Sequence, residues 1–181
     1  MAPDTVFRIY SMTKPIVSTA LMLLHEEGRF QLEHPVAQYL PAFATTKVMG
    51  ADGELVDPVR PMQVRDLLMH TSGLTYDFMA DNPVAQLYRD ARIMNDATRT
   101  LETLVDDLAA LPLAYQPGSR WHYSVGIDVA GRFRRSMHTS GSTGDRFEGG
   151  HERSKVDGFA APEVERAVAA AIVEVPDGRL D

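Results

Sequence analysis

Cysteine is absent from the 181 residues, which excludes disulfides, thiolate nucleophiles and thiolate metal ligands and leaves the compartment open. Long apolar runs are missing as well. The stretch from Ala20 to Leu24 is far too short to cross a bilayer. The start, Met1-Ala2-Pro3-Asp4, has neither the basic nor the apolar region of a secretory leader, so a cytoplasmic location without a membrane span is expected. Positive charge is scarce: 18 Lys and Arg face 25 Asp and Glu, a net of −7 and a pI near 5.3. Nucleic acid and anionic membrane are therefore excluded as expected partners, since both need basic surface. The six histidines show no His-x-x-x-His or comparable spacing with acids, so no metal site is expected. What is present is an ordinary globular composition, 44% hydrophobic and 24% charged, long enough for one domain with a core.

The most informative feature is Ser11-Met12-Thr13-Lys14, followed by Pro15 and the apolar run Ile16 to Leu24. The pattern predicts a helix over Pro15 to Glu27, stopped by Gly28. Residues three apart share a helix face, so a hydroxyl and an amine meet where the helix begins. A serine needs a neighbouring base before it attacks a carbonyl, and lysine serves only when uncharged. The positive end of a helix disfavours an ammonium. A lysine in the first turn is thus poor helix design and good nucleophile chemistry. The plainer alternative is that Ser11 caps the helix, although a capping box would place Glu or Gln where Lys14 stands.

Further along, Leu32 to Pro41 reads as a loop with a short helix, and Lys47 to Val56 as a hairpin around Ala51-Asp52-Gly53. Val64, Leu67 and Leu68 mark a helix ended by Ser72-Gly73. Leu101, Leu104, Val105 and Leu108 form a clear amphipathic stripe closed by Pro112. An extended segment from Arg120 to Ser124 and a helix beginning near Ile127 follow the turn Gln116 to Ser119. After Gly131 the character changes. Residues 132–155 carry six Lys and Arg against three acids, whereas residues 1–131 carry ten against sixteen. Poor in apolar periodicity, 132–155 is expected to be loop or disordered, with a short helix over 162–173 in an atypical tail, 132–181.

Four segments together resemble the serine β-lactamase-like hydrolases, a family of class C β-lactamases, D-Ala-D-Ala carboxypeptidases and esterases. They are Phe7 to Pro15, Leu32 to Pro41, Leu67 to Leu74 with Met69-His70-Thr71-Ser72-Gly73, and Pro117 to Ser124. The resemblance spans roughly residues 2–131. It implies an α+β, β-lactamase/transpeptidase-like fold in which this chain covers mainly the helical portion and lacks most of the antiparallel sheet, an incomplete copy of the domain. It also implies Ser11 as the acylated nucleophile, Lys14 as the lysine that helps deprotonate it and Tyr123 as the tyrosine of the family's Tyr-x-Asn motif, with no cofactor. His70 is read as organising a loop rather than acting on substrate.

The sequence departs from the family pattern in three ways. Val125 stands where β-lactamases and peptidases carry an amide-binding asparagine, which shifts the expected substrate from a lactam toward a small acyl ester. No Lys-Thr-Gly or equivalent follows to supply a second oxyanion donor, and family domains extend well beyond both sides of residues 2–131. A reading-frame shift after Gly131 is one explanation for the change in composition. The expectation is a serine hydrolase working through a covalent acyl-enzyme, with an inactive remnant, a β-lactamase or a D-Ala carboxypeptidase as alternatives. A helical interaction module on the Leu101 to Leu108 stripe is a weaker one.

Overall fold

A computed structural model describes residues 9–80, 82–95 and 98–139, with 134–139 as backbone only. The loose alternation of Thr5 to Tyr10 implies a short extended entry; its residues 5–8 and the tail helix expected over 162–173 lie outside the described residues, and Tyr10 opens a 3-10 turn instead.

Helix α1, Thr13–Glu26, is preceded by a tight 3-10 turn, Tyr10–Met12, so Ser11 lies just ahead of the α-helix. Neither turn nor helix has a side-chain cap at its start. Ser11 therefore is not the capping residue that its type allowed. Val17, Ala20 and Leu21 are the buried face, at the spacing that puts side chains on one side of a helix. Gly28 ends the helix at φ +72, where a side chain would be strained.

The expected hairpin forms as β1, Val48–Met49, and β2, Leu55–Val56, paired antiparallel with Val48 opposite Val56 and Met49 opposite Leu55. Leu113 extends it by donating to Lys47 O at 2.8 Å and accepting from Met49 N–H at 2.8 Å. Among the described residues this two-stranded sheet is the whole sheet content, and the rest is mainly helical, as the sequence implied.

Helix α2, Val64–Leu68, begins with Asp66 turning back to accept from the Gln63 N–H at 2.8 Å. It ends where His70 takes φ +56 and the Thr71 N–H reaches back to Asp66 O at 2.9 Å, an αL termination that usually uses glycine. Helix α3, Pro83–Asp90, was not read from the sequence. Its signal was present: Asn82 caps it by accepting from the Val84 N–H at 2.9 Å, and proline at the first helical position costs no hydrogen bond. Helix α4, Leu101–Ala110, buries Val105, Leu108 and Ala109 on the expected stripe.

Helix α5, Gly126–Thr139, packs against α1, α2 and α4 and buries Ile127, Val129, Ala130 and Phe133. It crosses Gly131, so residues 132–139 are helical where a loop was expected. Phe133 supplies the reason. It is fully buried, its ring centre 4.2 Å from Tyr39 and 5.5 Å from Phe30, and one such aromatic outweighs weak periodicity around it. The segment Trp121 to Ser124 is irregular rather than a strand.

Candidate active site

The 3-10 turn carries Ser11 to the surface, and the residue before it is strained: Tyr10 has φ +48, a conformation that side chains other than glycine adopt at a cost. The Ser11 hydroxyl meets the Tyr123 hydroxyl at 2.7 Å, across 112 residues of chain. Lys14, one turn further, donates from Nζ to the Tyr76 hydroxyl at 2.9 Å. The same ammonium lies 5.2 Å from the centre of the Tyr123 ring and 5.5 Å from that of Tyr76. Tyr76 passes the contact on, donating to Asp128 Oδ2 at 3.2 Å from the first turn of α5. Ser11, Lys14 and Tyr123 are thus brought together. The amine and the hydroxyl are each held by a different tyrosine, and no hydrogen bond joins them directly.

These groups open into a cleft of about 440 Å³ whose apolar walls include Val17, Phe78, Met94, Leu101 and Ile127. Phe78 stacks on Tyr76 with ring centres 4.9 Å apart. On the other side, His70 lies 4.8 Å from the Tyr123 ring and meets the exposed Trp121 edge-on.

The two tyrosines are pushed in opposite directions. The hydrogen bond with Ser11 is the largest influence on the Tyr123 phenol; together with the nearby Lys14 it outweighs desolvation and pulls the phenol below its ordinary value. Burial pushes Tyr76 far above that value, and the Asp128 carboxylate adds to the effect, so Tyr76 remains a neutral phenol. Desolvation also raises Asp128, against the pull of Lys14 and of the Tyr76 hydroxyl. Titratable neighbours driven apart by their surroundings are what acid–base chemistry requires.

Tyr76 and Asp128 were missed in the sequence. Tyr76 is one of six tyrosines and lies three residues beyond a glycine turn, and Asp128 reads as an ordinary acid at a helix start. Only the packing of α5 against α1 joins them to Lys14. The expected role of His70 in organising its loop fits the geometry. The Ser124 N–H donates to His70 Nδ1 at 3.2 Å, and the His122 N–H donates to His70 O at 2.8 Å. Val125 is fully buried in the core, so its side chain offers nothing to the cleft.

A second charged cluster stands behind the loop. Arg60 grips Asp66 with two parallel hydrogen bonds of 2.7 and 2.8 Å, and the Thr71 hydroxyl donates to the same carboxylate at 3.0 Å. Beyond it, Gly73 at φ +86 runs so close to Tyr115 that a Cβ would collide with the Tyr115 carbonyl oxygen. The cluster and this contact fix the path from His70 to Leu74.

Ser11, Lys14 and Tyr123 therefore line one cleft of a largely helical chain. The chain belongs to the beta-lactamase family, whose model matches residues 1–145. Similar proteins include esterase EstB of Burkholderia gladioli, 36% identical over 72% of this chain and 32% of that protein. Acyltransferase calJ of Penicillium decumbens is 32% identical over 98% of this chain and 44% of its own length. Among solved structures, EstCE1, a hydrolase with promiscuous acyltransferase activity, superposes with a TM-score of 0.63 at 34% identity, covering 77% of this chain and 35% of that one. The chain spans between about a third and a half of the length of these relatives. Those proteins are named an esterase, an acyltransferase and a hydrolase with promiscuous acyltransferase activity. No described helix is long and apolar enough to cross a membrane.

Proposed function

We propose that the chain carries the nucleophile of a serine hydrolase that forms an acyl-enzyme on small acyl esters. The observation that supports this most directly is the 2.7 Å contact between the Ser11 and Tyr123 hydroxyls, with the Lys14 amine close to the same phenol. At this distance a phenolate at Tyr123 takes the Ser11 proton as Oγ attacks the ester carbonyl carbon. The Ser11 backbone N–H, in the turn that opens α1, is the donor this reading assigns to the developing oxyanion. The carbon–oxygen bond to the alcohol then breaks, and the Tyr123 phenol returns its proton to the departing alkoxide. In the second half a water attacks the acyl-serine carbonyl carbon, giving its proton to Tyr123; the bond from that carbon to Ser11 Oγ then breaks, Oγ takes the proton back from Tyr123, and the carboxylic acid leaves. Lys14 favours the phenolate form of Tyr123 on one side and hydrogen-bonds Tyr76 on the other. The sequence alone left the base open between Lys14 and Tyr123; this reading assigns it to Tyr123.

An ester is favoured over a lactam or peptide because burial of Val125 leaves that position without an amide-binding group. The apolar walls at Val17, Phe78, Leu101 and Ile127 suit a compact apolar acyl chain. Hydrolysis of short-chain nitrophenyl esters by the wild type and by Ser11→Ala tests the reading. Loss of turnover in the variant is expected; equal rates would overturn it and leave the inactive-remnant alternative. Intact-mass detection of a fluorophosphonate adduct, absent from Ser11→Ala, checks the nucleophile independently of substrate choice.

A further inference from the structure

His70 departs from what its backbone calls for. It occupies the position after α2 at φ +56, where glycine is the unstrained choice. Histidine there gains nothing for the helix end, since the terminating hydrogen bond from the Thr71 N–H uses only backbone. What its side chain does is reach the segment that carries Tyr123. The Ser124 N–H, a donor only, points at His70 Nδ1 at 3.2 Å, so that nitrogen must be unprotonated and Nε2 must carry the hydrogen. The imidazole also packs on the Tyr123 ring at 4.8 Å and meets Trp121 edge-on at 6.2 Å. Its own carbonyl holds the His122 N–H at 2.8 Å. Trp121 to Ser124 has no sheet partner; the contacts with His70 sit beside Tyr123 itself, while Thr75 holds the His122 ring at 2.8 Å and the Val125 N–H at 3.4 Å on either side.

We propose that His70, as the neutral Nε2–H tautomer, is the positioning residue for Tyr123, holding its backbone and ring so that the phenol faces Ser11. The inference rests on the hydrolase reading for its kinetic consequences, and on geometry alone for its tautomer. Protonation of His70 turns Nδ1 into a donor that can no longer accept from the Ser124 N–H and can turn only to the Ser124 hydroxyl, 3.4 Å away, which releases the clamp on the backbone. Burial disfavours that event, helped by the Lys14 ammonium on α1 and by His122 on the same irregular segment. The phenol of Tyr123 is the other titratable group against the ring.

Two substitutions on the full chain separate positioning from folding. Glycine at this φ removes backbone strain and the acceptor together. Asparagine tolerates the same backbone and offers Oδ1 near the place of Nδ1. His70→Gly is expected to keep its melting temperature while kcat/KM for a short nitrophenyl ester falls about 10- to 100-fold, the scale of an ångström-level misplacement. His70→Asn should recover most of the loss. The advantage of wild type over His70→Gly should shrink as the pH falls through the depressed imidazole value, while the advantage of His70→Asn stays constant. Glycine as active as wild type, asparagine as poor as glycine, or a wild-type advantage that ignores pH would each overturn the proposal. If Ser11→Ala equals wild type, the hydrolase reading fails instead, and the clamp is then judged by long-range ¹H–¹⁵N correlation of the His70 ring. A pyridine-type Nδ1 at neutral pH supports it, and a protonated Nδ1 overturns it.

Discussion

Two polar clusters sit on either side of the His70 to Leu74 loop, and they differ in how much hydrogen-bonding capacity they have left. At Asp66 the carboxylate receives two hydrogen bonds from Arg60, one from the Gln63 N–H and one from the Thr71 hydroxyl. That fills the roughly four acceptor sites a carboxylate has. Its side chain is 3% exposed. At Ser11 the hydroxyl has one hydrogen bond, is exposed, and faces a cleft. The first cluster is saturated and holds the chain in place. The second keeps spare hydrogen-bonding capacity, and its phenol is pulled toward ionisation, as the proposed chemistry needs. Charge alone does not mark a functional site; unspent hydrogen-bonding capacity beside a cavity does.

If that contrast is right, damage to one cluster should register in activity and damage to the other in stability. Ser11→Ala is the largest case: ester turnover should drop by about 10⁴-fold or more with the melting temperature unchanged. Tyr123→Phe keeps the ring against His70 and removes the proton carrier, so steady-state assays should show a loss of about 10²- to 10⁴-fold. On the saturated side, Asp66→Asn leaves Arg60 without its counter-charge and should cost about 3 kcal/mol in urea unfolding, toward the low end for a buried pair because Arg60 is a third exposed. The same cluster sets an acid limit. Burial alone would raise Asp66, but the hydrogen bonds from Arg60, Gln63 and Thr71 outweigh it and hold the carboxyl below its ordinary value of 3.8. Stability from this group is therefore present above that value and is lost as pH falls through the depressed one. Asp66→Asn should flatten that part of the pH–stability curve.

Tyr76 lies between the two kinds of site, buried like Asp66 yet bonded to Lys14, so Tyr76→Phe should show both effects weakly. About a tenfold loss of kcat/KM is expected, with about 1 kcal/mol of stability from the hydrogen bonds removed. A loss as large as that of Tyr123→Phe would erase the distinction between reacting and supporting phenols. The finest test is spectroscopic. Ultraviolet titration referenced to Tyr123→Phe should find the Tyr123 phenol ionising below its ordinary value of 10.0, and Lys14→Met should move it upward. An unmoved titration would mean that Lys14 does not support the phenolate.

Local patterns in the sequence specified the serine, the lysine and their common turn, because spacing along one helix is a local property. The same applies to the α1 and α4 stripes, the hairpin around Gly53 and the glycine stop at Gly28. Nothing local distinguished Tyr76 from the other tyrosines, predicted that α5 would cross Gly131, or showed that Lys14 would bond to a tyrosine rather than to Ser11. Those outcomes needed chain segments 62 and 112 residues apart to meet. The residue types were written in the chain; which phenol is buried and silent, and which is half-buried and pulled toward ionisation, was decided by packing, because desolvation depends on neighbours in space and not in sequence.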